Sequence, residues 1–145
     1  MKERILYPHL QFDHSVDLQI RFSDYDTFGH INNNSYLAFF DVGKTEFFHH
    51  IFNGASSPDK LSAAIVNINV DFLASAIVGE PLKVLTAVVK LGERSFTLYQ
   101  QVVNSVTNQV KSQATSVLTG FDIPTQTSAP LLPRLVSALR RFLKE

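Results

Sequence analysis

The segment from Ser35 to about Phe52 limits the fold of this 145-residue chain more than any other. Tyr36, Phe39, Phe40, Phe47, Phe48 and Ile51 recur at mostly three- and four-residue spacings, which is the period of one helical face, and Leu37 and Val42 carry the apolar surface further round. A helix so apolar needs to be wrapped by a sheet. Just before it, Asn32, Asn33 and Asn34 supply side-chain oxygens that accept from the unpaired amides of a helix start. Gly43 lies on the stripe through Phe39, Phe40 and Phe47, where a missing side chain lets the sheet approach closely. A glycine merely tolerated in the helix is the alternative.

The rest of the chain supplies that sheet. Val16, Leu18, Ile20 and Phe22 alternate with Asp17, Gln19 and Arg21, so a half-buried first strand is predicted to end near Ser23. A turn-rich stretch, Asp24 to Asn34, leads into the helix. After a loop at Asn53-Gly54 and Ser56-Ser57-Pro58, the residues Ala64, Val66, Ile68, Val70 and Phe72 mark one face of a second strand, with Asn67, Asn69 and Asp71 on the other. Three more strands are predicted at roughly Leu82 to Leu91, Ser95 to Val106 and Gln109 to Phe121, as an antiparallel meander with tight turns at Gly92-Glu93 and Thr107-Asn108. Pro124, Pro130 and Pro133 precede a last amphipathic helix, where Leu135, Leu139, Phe142 and Leu143 face one way and Arg134, Arg141 and Lys144 another. The expectation is a single α+β domain over residues 1–145, a curled antiparallel sheet around one long central helix, with a C-terminal helix. Long strands with open edges favour pairing with a second copy.

Composition excludes several kinds of partner. Thirteen basic residues balance thirteen acidic ones, so no long-range field holds nucleic acid or an anionic membrane surface. There is no cysteine, hence no disulfide, thiolate nucleophile or thiolate metal site, which suits the cytoplasm. Met1 to Leu10 lacks the apolar core of a secretory leader. Apolar runs such as Leu82 to Val89, broken by Lys83 and Thr86, fall far short of the ~20 residues of a membrane span. A soluble cytoplasmic protein is expected.

Chemistry concentrates between Arg21 and Tyr36, where a carboxylate, a glycine turn and a helix N-terminus lie side by side. The first amides of a helix have no intrahelical partner and share the positive end of its dipole, so they can stabilise an oxyanion forming on an ester or thioester carbonyl. A nearby Asp could attack that carbonyl or activate water, although an Asp before a helix also serves as a cap. Asp24, Asp26 and Gly29 fall at the first, third and sixth positions of an EF-hand loop, but Phe28 and Ser35 occupy places that need oxygen ligands and a bidentate Glu. Calcium is therefore rejected. A metal held by Asp24, Asp26 and His30 is a minor alternative.

The pattern Asp-x-x-Gly-His-Ile-Asn-Asn-x-x-Tyr from Asp26 to Tyr36 resembles the hotdog-fold acyl-CoA thioesterases of the 4-hydroxybenzoyl-CoA thioesterase superfamily, in their long-chain and general acyl-CoA branch. Ile65 to Leu73 is similar to that branch's second strand and Gly79-Glu80-Pro81-Leu82 to the turn after it, so the resemblance covers about Val16 to Phe121. It implies hydrolysis of acyl-CoA to free acid and CoA, as in fatty acid metabolism, with no cofactor and no metal. The catalytic carboxylate falls on Asp26, the oxyanion-binding amide on Asn33, and the turn between them on Gly29. Substrate-contacting positions fall on His30, Tyr36, Asn69 and Arg94, the last within an Arg94-Ser95-Phe96 stretch similar to one near the CoA nucleotide. The family's active site lies at a dimer interface, so a homodimer is implied, or a homotetramer built from it.

Departures narrow the resemblance. Tyr25 and Asn32 argue against a 4-hydroxybenzoyl substrate, and Lys44 stands where Arg is common, replacing a planar fork with a point charge. His49 and His50 are read as capping the end of the long helix, His9 and His14 as exposed, and Glu46 as structural. Two other functions stay open: a hydratase or dehydratase of acyl thioesters, and a noncatalytic acyl-thioester-binding dimer.

Overall fold

The computed structural model describes residues 4–53 and 62–144, and the loop expected at Gly54 to Pro58 lies outside them. Strands β1 (His14–Asp17), β2 (Ala63–Phe72), β3 (Leu82–Leu91), β4 (Ser95–Asn104), β5 (Val110–Asp122) and β6 (Thr127–Ser128) form one antiparallel sheet. Its order is β1-β3-β4-β5-β2, with the short β6 on β5. Helix α1 (Asn33–Ile51) lies across β1, β3 and β4, and α2 (Pro133–Phe142) packs on β3. This is the hotdog arrangement, a curled antiparallel sheet around a long helix, with a C-terminal helix added.

The apolar stripe explains the seat of α1. Tyr36, Phe39, Phe40, Phe47, Phe48 and Ile51 are all buried, and they divide between two clusters. Phe39 and Phe40 pack with Leu82, Val84, Val102 and Ala114, while Phe47, Phe48 and Ile51 pack with Phe96, Leu98, Leu135 and Leu139. Leu135 and Leu139 show that the apolar face of α2 closes the second cluster as expected.

Two strand readings need correction. β1 stops at Asp17, and the chain then makes a 3-10 turn at Phe22–Asp24 that leaves Phe22 95% exposed rather than alternating inward. The cause is local: the Asp24 carboxylate accepts from the Arg21 amide (2.8 Å) and bends the chain. In β2 a bulge between Ile65 and Asn67 makes Val66 the extra residue. Ile65 therefore sits opposite buried Leu118, and Ile68 and Val70 opposite buried Ser116 and Ala114, so Ala64 and Val66 do not share their face. His14 is half-buried rather than exposed, against the ring of His50 (5.2 Å).

The N-terminal segment carries weight that its sequence does not announce. Tyr7 and Phe12 lie on buried Tyr99 on the outer side of the sheet, with ring centroids 4.8 and 6.0 Å away. Gln113 fixes the strap by accepting from the Leu6 amide and donating to the Arg4 carbonyl.

Gly43 meets the sheet as closely as the stripe requires. A Cβ there would lie 2.7 Å from Gln100 Nε2 and 2.8 Å from Val84 Cγ2. Gln100 cannot swing aside freely, because its Nε2 donates to the Phe40 carbonyl (2.9 Å) and to Thr86 Oγ1 (3.0 Å) in the core. Gly43→Ala gains roughly 1 kcal/mol in helix propensity. Overpacking and two disturbed buried hydrogen bonds outweigh that, at about 1 to 3 kcal/mol and about 1 kcal/mol each. The expected result is a lower Tm in thermal unfolding; a rise would mean that the helix and sheet separate at no cost.

Candidate active site

Residues 24–32 form a miniature hairpin. Tyr25 pairs with Ile31, the Asp26 amide donates to the His30 carbonyl (2.8 Å), and the Asn32 amide to the Asp24 carbonyl (2.8 Å). Gly29 allows the reversal, because its φ of +77° is a conformation that side chains disfavour. A third segment is laced to this hairpin: the Ile31 amide donates to the Ala76 carbonyl (2.8 Å) and the Val78 amide to the Gly29 carbonyl (3.0 Å). Asp26 Oδ1 accepts from the amides of Phe28 (2.9 Å) and His30 (3.1 Å), which fixes the carboxylate within its own turn.

Helix α1 starts directly after the hairpin. Asn32 is its N-cap and accepts from the Asn34 amide (3.1 Å), while the Ser35 amide turns back to the Asn32 carbonyl (2.9 Å). The Asn33 amide, first in the helix, has no intrahelical acceptor. Asp26, His30, Asn33 and Tyr36 line one cleft of about 260 Å³, closed on the far side by Phe72 to Ser75. Tyr36 is buried and wedged edge-on between Phe39 and Phe72. Burial, then the negative charge of Glu80, pushes its hydroxyl up to about 12, so it stays protonated and able to donate across the neutral range.

The sequence-predicted residues thus divide. Asp26, His30, Asn33 and Tyr36 come together, with Gly29 shaping the turn behind them. Asn69 is exposed on β2 and donates to Asn67 Oδ1 (2.9 Å), away from the cleft lining. Arg94 is exposed in the β3–β4 turn, where it donates to Ser128 Oγ (3.2 Å). Its carbonyl accepts from Gly120, whereas the cleft wall at Phe72 faces Ser112, so Arg94 lies toward the opposite end of β5. Asp24 and Asp26 serve separate purposes: Asp24 is 2% exposed and turned toward Arg21, so it does not join Asp26 and His30 around a metal. Among the described residues no three His, Asp or Glu side chains are grouped as a metal site, and no helix is long and apolar enough to cross a membrane.

Sequence reasoning missed the clamp behind the far wall. Lys111 Nζ contacts Glu80 Oε1 (2.8 Å) and donates to the Ser75 carbonyl (2.9 Å), and Glu80 Oε2 accepts from the Ile77 amide (2.7 Å). The one available signal was Glu80 in a turn already similar to the family's.

Asp24 and Glu80 should govern acid stability. Burial opposes the charge on each, but hydrogen bonds prevail and both pKa values are lowered. For Asp24 they come from the Arg21 amide, the Ser35 hydroxyl and the Arg21 side chain; for Glu80, from Lys111, the Ile77 amide and Asn104. A folded pKa below the unfolded one adds stability above the unfolded value, and the gain is lost as pH falls through the folded value. The Tm should hold down to about pH 5 and drop below about pH 4. Asp24→Asn must present an NH2 to a buried donor, so it should cost about 1 to 3 kcal/mol at pH 7 and shrink the acid drop. An unchanged acid profile in this variant would show that Asp24 has no part in it.

Residues 20–139 match the thioesterase-like superfamily. Among solved structures, the fold is similar to that of a predicted thioesterase from Bacillus stearothermophilus, at 24% identity and a TM-score of 0.79 over 90% of this chain and 96% of that one. A thioesterase from Thermus thermophilus, solved with coenzyme A and Zn, gives 24% and 0.77 over 90% and 99%. Slr0204, a 1,4-dihydroxy-2-naphthoyl-CoA thioesterase from Synechocystis, gives 17% and 0.77 over 87% and 94%. No curated protein matches the sequence. With 120 of its residues matched, in a hotdog fold with a carboxylate turn at the start of the central helix, the chain belongs to the thioesterase-like superfamily.

Proposed function

We propose that the protein hydrolyses acyl-CoA thioesters to free acid and CoA, with Asp26 as nucleophile or general base. One observation carries the reading: Asp26 and Asn33, the first residue of α1, line the same cleft. A thioester carbonyl with its oxygen on the Asn33 amide would gain charge where the positive end of the α1 dipole is strongest. Asp26, already oriented by two amides, would then attack the carbonyl carbon or take a proton from a water that does. Gly29 shapes the turn that brings the two groups together, His30 and Tyr36 flank the reacting group, and the CoA of the Thermus structure and the naphthoyl-CoA activity of Slr0204 support a CoA ester as substrate. Asn69 and Arg94, outside this cleft in one chain, would meet substrate across a subunit boundary. A cysteine-free enzyme of CoA esters fits the cytoplasm.

The assembly proposed is a homodimer, or a homotetramer containing it. β2 is one of the two edge strands of the sheet, and Ile65, Val66, Ile68 and Phe72 on it are exposed. Unpaired backbone and apolar side chains on one edge suit pairing with a second copy. Phe72 also lines the cleft, so a partner on β2 would border the bound acyl group. Light scattering at micromolar concentration should give twice or four times the chain mass. A monomer would leave the cleft open on that side and count against the proposed site.

A panel of acyl-CoA substrates with a chromogenic thiol trap tests the activity, and binding without thiol release would favour the noncatalytic reading. Asp26→Asn keeps the size of the side chain and an acceptor for the turn amides, so Tm should change little while kcat falls about 100- to 10,000-fold. Retention of more than about a tenth of the activity would remove Asp26 from the mechanism. Single turnover in water labelled with heavy oxygen separates the two roles, since label entering Asp26 marks an anhydride intermediate.

A further inference from the structure

We infer that the ion pair of half-buried Glu80 with buried Lys111 is a positioning device for the Asp26 turn, acting through the cleft wall rather than on substrate. The inference rests on the thioesterase reading above. Lys111 lies in β5 and is 3% exposed, and its ammonium meets three oxygens: Glu80 Oε1 (2.8 Å), the Ser75 carbonyl (2.9 Å) and Gln109 Oε1 (2.7 Å). Its backbone carbonyl accepts from the amides of Leu73 (2.9 Å) and Ala74 (3.1 Å). One residue thus holds Leu73, Ala74 and Ser75, three of the four residues of the far wall, from both its main chain and its side chain.

Glu80 carries the constraint onward. Its Oε1 also accepts from Asn104 Nδ2 (2.9 Å), and its Oε2 holds the Ile77 amide (2.7 Å). Ile77 pairs with His30, and the bonds on either side of that pair, Ile31 to Ala76 and Val78 to Gly29, tie the wall to the hairpin that carries Asp26. The path runs from Lys111 to Glu80 through an ion pair and on to the Ile77 amide through a hydrogen bond; it crosses to the hairpin by the two backbone bonds that flank the Ile77–His30 pair and reaches Asp26 through the His30 amide. Glu80 also lies close enough to Tyr36 for its charge to act on that hydroxyl.

Stability alone does not account for this pair. An ion pair with a buried partner contributes little compared with apolar residues of similar size. What apolar residues could not do is offer a donor to the Ser75 carbonyl in the wall and an acceptor to the Ile77 amide in the segment that ties the wall to the hairpin. Glu80→Gln makes the point sharper. With one oxygen left, the amide cannot accept from Ile77 on one side and from Lys111 and Asn104 on the other, so one donor must face an NH2.

The test compares Glu80→Gln, Lys111→Met and the double variant with Leu139→Ala, which opens a cavity in the distant α2 cluster and lowers Tm without touching the wall. Amide exchange at Ile31 and Val78 should quicken about tenfold or more in the clamp variants and stay slow at Leu98 in β4. The kcat should fall about ten- to a hundredfold, with KM held within about twofold, and the double variant should be no worse than the worse single one. Leu139→Ala should keep its kcat at a temperature where it is folded. Unchanged exchange at Ile31 and Val78, or a kcat loss no larger than in Leu139→Ala at equal loss of Tm, would overturn the inference. If the wild-type protein releases no thiol from any acyl-CoA, the thioesterase reading fails, and the exchange measurement still decides whether the pair positions the turn.

Discussion

Everything in the site depends on how closely α1 is seated on the sheet. Gly43 removes a Cβ that would overlap Gln100 and Val84, and Gln100 reaches into the helix to take the Phe40 carbonyl. Those two features fix the depth and rotation of α1, while burial of Phe40 and Phe47 supplies the free energy, about 2 to 3 kcal/mol for each ring. The position of Asn33 follows from that seat, because a helix held at its middle has no freedom at its first turn. An amide aimed at a reacting carbonyl is useful only if it does not move, since electrostatic stabilisation comes from groups already oriented before charge develops.

The two aspartates of the turn show how environment separates identical side chains. Asp24 faces inward, meets Arg21 and holds the chain where it leaves β1. Asp26, two residues on, is exposed and bonded only through Oδ1 among the described residues. One is committed to structure by burial, and the other remains available to a ligand in the cleft. The two sit in different backbone settings, because Asp24 is the last residue of the 3-10 turn whereas Tyr25, which leads to Asp26, is already extended.

Legibility in the sequence follows the range of the interactions involved. Helix α1 and strand β3 were readable because an apolar stripe and an apolar run bounded by turn residues are local patterns, and the site from Asp26 to Tyr36 was readable because its hydrogen bonds close within a few residues. The bulge in β2 was hidden, since Ala64 to Phe72 alternates without a break and only pairing with β5 reveals the extra Val66. The end of β1 was hidden for a similar reason, because Phe22 continues the apolar alternation until Asp24 bends the chain away. The Glu80–Lys111 clamp joins a turn to a distant strand, and no local pattern signals a charged residue that faces inward. Arg94 and Asn69 came from resemblance alone, and neither lines the cleft of one chain.

The distribution of apolar surface bears on how the cleft is completed. On the outer side of the sheet, Tyr99 is covered by the chain's own Tyr7 and Phe12, so that part of the surface needs no partner. Half of the large apolar side chains left in solvent among the described residues lie instead on β2, at Ile65, Val66, Ile68 and Phe72, and around the turn, at Phe28, Ile77 and Val78. Both groups border the cleft, the first through Phe72 and the second through the hairpin of Asp26. Leaving such side chains beside a polar reaction centre costs free energy unless something apolar covers them, at roughly 25 cal/mol per Å² exposed. In the proposed function an acyl chain would cover part of that surface only while substrate is bound. A second copy paired along β2 would cover it permanently and supply the backbone partners that an edge strand lacks, so the proposed dimer and the proposed acyl site draw on the same exposed surface.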